Sequence, residues 1–70
     1  MRVNVEYDGF DPDVDRALER LTRVQCDGSG FGFGVRDLSW TFRRKSDADK
    51  FVARIKDARL GCRVSVREDR

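Results

Sequence analysis

Three acids at alternate positions, Asp11-x-Asp13-x-Asp15, are the first group in this chain whose spacing matches a known chemistry. A calcium loop of the helix–loop–helix kind opens that way, but it needs glycine at its sixth position and glutamate at its twelfth. Arg16 and Thr22 stand there, and Pro12 fills the second position. The run fits a helix start better. Asp11 is a preferred N-cap residue, proline is tolerated at the first helical position, and acids in the first turn complement the helix dipole.

Thiol, imidazole and phosphate chemistry are narrowed in the same way. The chain has two cysteines, Cys26 and Cys62, and no histidine. A zinc site needs about four ligands, preferably thiolate and imidazole, which two distant cysteines do not supply. Without histidine, nucleophile pairs of the Ser–His and Cys–His kinds are excluded. Gly28, Gly30, Gly32 and Gly34 resemble a phosphate loop only in richness. A dinucleotide fingerprint starting at Gly28 and Gly30 needs glycine at 33, where Phe33 stands, and the chain has no Gly-Lys-Ser/Thr sequence. The reading is a chain with no catalytic, cofactor-binding or metal-binding residues.

Two groups remain as partner-binding candidates. One is the glycine run with its neighbour: Gly30, Gly32, Gly34 and Arg36. The other is basic: Arg43, Arg44 and Lys45, with Arg63 and Arg67. Alternation with period two is the signature of a strand whose successive side chains face opposite ways. Glycine weakens a strand interior, so such a run marks close approach by a partner, or a bulge. The basic group offers contacts to phosphate.

Seventy residues are near the lower limit for a domain that folds without staples, and 40% of them are charged. The expectation is one domain over residues 1–70. The net charge of +2 hides an asymmetry: residues 1–15 carry −4 and residues 16–70 carry +6. Arginine outnumbers lysine 12 to 3, a bias that suits bidentate pairing with carboxylate or phosphate and that high-GC coding also produces. No apolar run approaches the ~20 residues that span a membrane. The first six residues alternate apolar and polar, unlike a signal peptide, so the expected location is the cytoplasm.

The elements that must position these residues follow from periodicity. Val3, Val5 and Tyr7 alternate with polar neighbours and predict a first strand, ended by Asp8-Gly9-Phe10. Val14, Ala17, Leu18, Leu21 and Val24 predict a helix over 12–24. A second strand is expected over 30–35, a tight turn at Arg36-Asp37, and a third strand through Leu38, Trp40 and Phe42. Ser46 is the expected N-cap of a second helix, whose apolar face is Ala48, Phe51, Val52, Ile55 and Ala58. Gly61 follows that helix, and Cys62, Val64 and Val66 alternate in a last strand.

The order β-α-β-β-α-β resembles the ferredoxin-like fold. The resemblance covers the chain but is topological, with no family motif behind it. It implies an antiparallel sheet in the order 4-1-3-2 with both helices on one face. Val3, Val5, Tyr7, Phe31, Phe33, Val35, Leu38, Trp40, Phe42, Cys62, Val64 and Val66 are then expected to point inward. Arg2, Asn4, Glu6, Gly32, Gly34, Ser39, Thr41, Arg43, Arg63, Ser65 and Arg67 are expected on the open face. One end of the molecule should be acidic and the other basic.

Two activities hosted by this topology do not match. The RNA recognition motif stacks bases on aromatics of its open face, and parity leaves none there. Acylphosphatases hold phosphate on an arginine in the loop after the first strand, and the loop here, Asp8-Gly9-Phe10-Asp11, is acidic. The expected function is therefore a non-enzymatic protein-binding domain that occupies a surface of a larger partner, or pairs with itself through the edge strand at 30–35. Small chains without catalytic groups are common among phage and mobile-element accessory proteins, anti-CRISPR inhibitors included, an analogy of size and character. The alternative is nucleic-acid binding by a basic open face.

Overall fold

In a computed structural model, which describes residues 1–68, the chain runs β1 (Arg2–Asp8), α1 (Pro12–Glu19), β2 (Gly28–Gly32), β3 (Val35–Thr41), α2 (Lys45–Ala58) and β4 (Arg63–Arg67). The four strands form one antiparallel sheet in the order β2-β3-β1-β4, which is the ferredoxin-like arrangement. Register sets the faces. Val3 pairs with Trp40, Val5 with Leu38 and Tyr7 with Arg36, and cross-strand partners share a face. Val3, Val5, Tyr7, Leu38 and Trp40 are buried there with Phe42, together with Leu18 of α1 and Ala48, Phe51 and Ile55 of α2. The Phe51 ring meets Trp40 at 4.8 Å and Phe42 at 5.5 Å between centroids. No helix among the described residues is long and apolar enough to cross a membrane.

α1 starts as its sequence dictates. Asp11 is the N-cap, and its side chain accepts from the Asp13 N–H at 2.9 Å. The helix ends at Glu19 rather than near residue 24. The reason is local competition: the Thr22 hydroxyl accepts from the Val24 N–H at 3.2 Å, a side-chain turn that replaces the helical ladder. The Leu21 carbonyl left behind accepts from the Arg54 guanidinium at 2.9 Å. α2 begins before Ser46. Ala48 N–H donates to Arg44 O, so Arg44 is the N-cap, without a side-chain bond, and Ser46 lies inside the first turn. The left-handed cap at its end is Arg59, at φ 52, ahead of Gly61 at φ 73.

The largest correction concerns the hairpin. The turn is Phe33-Gly34, closed by Gly32 and Val35, and not Arg36-Asp37. Both turn residues have positive φ, 53 and 75, which is what a two-residue hairpin with right-handed strand twist requires. Gly34 meets that demand without strain. Three placements change with it. Phe33 is fully exposed at the tip instead of buried. Val35 pairs with Asp8 on the open face, because an odd spacing separates it from Leu38. Arg36 lies within β3 on the helix face, opposite Tyr7. Cys62 falls just outside β4, half-buried against the core, and Val66 is inward by register but 43% exposed at the sheet margin.

Candidate protein-binding edge

β2 is an edge strand whose outer side has no neighbour among the described residues. On its open face stand Gly28, Gly30 and Gly32, opposite Ser39, Asp37 and Val35. A Cβ at Gly32 would meet nothing within 4 Å, whereas one at Gly30 would lie 3.1 Å from the Asp37 carboxylate. Gly34 belongs to the turn and not to the strand surface. The edge is thus smooth, uncharged from residue 28 to 34, and free of lysine and proline, the residues that blunt exposed edges.

The other side of the edge is aromatic. Phe31 shares the helix face with Arg36 but lies beyond the helices and is 55% exposed. Phe10, in the loop before α1, packs on it edge-on at 5.8 Å and is itself 53% exposed. Phe33 stands beyond them at the hairpin tip. Three large apolar rings therefore border one five-residue strand, an arrangement that marks an interaction surface more than scattered apolar residues do.

A half-buried polar cluster holds this surface in place. Asp15 and Arg36 pair at 2.8 Å with 14% of each side chain exposed. The Arg36 guanidinium also donates to the Gly30 carbonyl at 3.3 Å and lies 4.7 Å over the Phe10 ring. One arginine thus ties α1, the edge strand and an exposed aromatic together, and its pairing with Asp15 raises its affinity for the proton further. The Tyr7 hydroxyl donates to Asp15 at 2.5 Å, beside the Asp11 carbonyl. Burial, with the Asp15 hydrogen bond second, raises the Tyr7 pKa above 10.0.

The sequence-derived candidates separate. Gly30 and Gly32 lie on the edge, Gly34 forms the turn beside it, and Arg36 supports it from beneath. Arg43, Arg44 and Lys45 are exposed at the opposite end, the first two between β3 and α2 and Lys45 opening α2. Arg63 and Arg67 lie on the open face of β4, at the other margin of the sheet. Arg63 bonds Asp8 at 3.0 Å and sits 3.9 Å from Glu6. The open face is therefore mixed, with Glu6, Asp8 and Asp37 among Arg2, Arg63 and Arg67. Phe10 as an anchor, the pairing of Asp15 with Arg36 and the exposure of Phe33 were missed from sequence. The signal for the tip was present: Val35 and Leu38 are three apart, which one strand cannot place on one face.

No protein-family model matches this chain, and no curated protein or solved structure matches it either.

Proposed function

We propose that this chain is a small non-enzymatic protein-binding domain that works by occupying a surface of a larger protein through its β2 edge. The observation that carries the reading is the exposure of Phe10, Phe31 and Phe33, at 53, 55 and 108%, beside a strand with a glycine outer face and no neighbour among the described residues. The edge offers main-chain hydrogen bonds, and the rings offer apolar anchors for a partner's pockets. By analogy of character, such an edge suits an accessory inhibitor of the phage or mobile-element kind, anti-CRISPR proteins included, acting by steric occupation. The mixed charge of the open face weakens its pull on phosphate, so that face supports a nucleic-acid role less well.

Affinity capture tests this reading. Wild type and a Gly32→Lys/Phe33→Asp variant serve as baits in extract of the cells that encode the chain. The variant adds atoms at Gly32, where they meet open space, and trims a fully exposed ring at Phe33, so its circular dichroism should match wild type. The expected result is one defined protein retained by wild type and lost by the folded variant. Retention by both, or salt-dependent shift of labelled DNA or RNA by both, would overturn it.

A further inference from the structure

The β2 edge carries enough geometry to name an occupant. Gly32 and Val35 close a two-residue turn, and the pair that closes such a turn exchanges both of its backbone hydrogen bonds. Antiparallel pairs alternate, so Gly30 bonds Asp37 in the same way. Ser29 and Phe31 then direct their N–H and C=O groups away from β3, along the free edge.

We infer that this edge pairs with a second copy of itself, antiparallel, about a two-fold axis through Gly30. The inference rests on the reading of β2 as a contact edge and adds an occupant for that edge when the larger protein is absent. In that register Ser29 faces Phe31 of the partner subunit, and Phe31 faces Ser29 of the partner subunit. Every outward backbone group of the two residues is satisfied, in four hydrogen bonds. Gly30 falls on the axis as a non-hydrogen-bonded pair, where backbones approach to ~4.5 Å and glycine leaves the seam clear. On the helix face the two Phe31 rings are diagonal neighbours ~7–8 Å apart, within reach of aromatic side chains, so their exposed surface is covered.

Charge selects this edge over the other. Nothing between residues 28 and 34 is charged. Self-pairing of β4 about Ser65 would set Arg63 opposite Arg67 twice, and like charges directly opposite are destabilising. Of the two edges among the described residues, β2 is the one that accepts its own copy, and the two-fold closes after two chains into an eight-stranded sheet. The seam is one short strand, smaller than the ~1,200 Å² of a stable interface, so dimers form at high protein concentration.

The test uses the purified chain. Sedimentation equilibrium should show an average mass rising from one chain toward two with concentration, and the Ser29 and Phe31 amide protons should gain exchange protection in parallel. In a Cys26→Ser/Cys62→Ser background, Gly30→Cys should cross-link to itself under glutathione disulfide and Gly32→Cys should not, because only position 30 lies within disulfide reach of its copy. A single-chain mass at every concentration, equal cross-linking at both positions, or a mass climbing past two chains would overturn the inference. If self-association fails while Gly32→Lys/Phe33→Asp still loses a captured protein, the edge remains a contact surface and only the second copy is wrong. If both fail, the binding reading falls too.

Discussion

Tyr7 is the only tyrosine in the chain, so its ionisation can be read without interference. Its folded pKa is raised above 10.0 by burial and by the bond to Asp15. A native state that holds a proton the unfolded chain releases loses stability as pH rises. The contribution is whole below pH 10 and is lost as pH climbs through the raised folded value. Absorbance at the tyrosinate band should give a midpoint above 10 in native protein, and alkaline unfolding should follow it. A native midpoint at 10 or below would contradict the buried bond.

Trp40 is fully buried between the sheet and Phe51, and its Nε1–H finds no partner among the described residues. Trp40→Ala should cost about 3–5 kcal/mol, enough to unfold a domain this small. Trp40→Phe should cost far less, since it keeps most of the ring volume and removes an unsatisfied donor. Denaturant melts of both variants check this, and a near-wild-type midpoint for Trp40→Ala would mean that the sheet faces are inverted.

At the scale of the element, most of the sheet was legible because its strands alternate cleanly. Val3, Val5, Tyr7, Leu38 and Trp40 set the buried face by parity alone, and the βαββαβ order follows from where each period changes. The ends were less legible, because local chemistry there competes with periodicity. Thr22 cuts α1 short despite Leu21 and Val24 at helical spacing. The hairpin was misplaced because Phe31-x-Phe33-x-Val35 reads as one strand, while the backbone turns at Phe33-Gly34. The support of the edge by Asp15 and Arg36 was not legible at all, since it joins residues 21 positions apart through a register that the turn decides.

The two glycines at the hairpin now predict opposite behaviour. Gly34 has φ 75, so Gly34→Ala should cost about 1–2 kcal/mol from left-handed strain. Gly32 has open space beyond it and an ordinary backbone, so Gly32→Ala should be close to neutral. Thermal melts of the pair check the turn directly. Equal cost at both positions would contradict it.

Across the whole molecule, charge and reactivity are distributed by the fold. Asp8, Asp11 and Asp13 gather at the end that also carries the β2–β3 turn, while Arg43, Arg44 and Lys45 occupy the other. Cys26 and Cys62 are both free and half-buried. Burial raises the Cys62 thiol above the ordinary value. Alkylation of denatured, unreduced protein should label both thiols, and native Cys62 should react appreciably only at alkaline pH. Quantitative protection of both in a monomer would require a different topology.

The central claim is that the β2 edge and its aromatic border are where this molecule meets other proteins. Photo-cross-linking tests it most directly. A benzophenone side chain at Phe33 reports the edge, and the same probe at Ser65 or Lys50 reports the exposed open face and helix layer. On irradiation in the cells that encode the chain, the probe at position 33 should give an adduct of one defined mass, and the other two should give none. An adduct from Ser65 or Lys50 with none from position 33 would contradict the account and move the binding surface elsewhere.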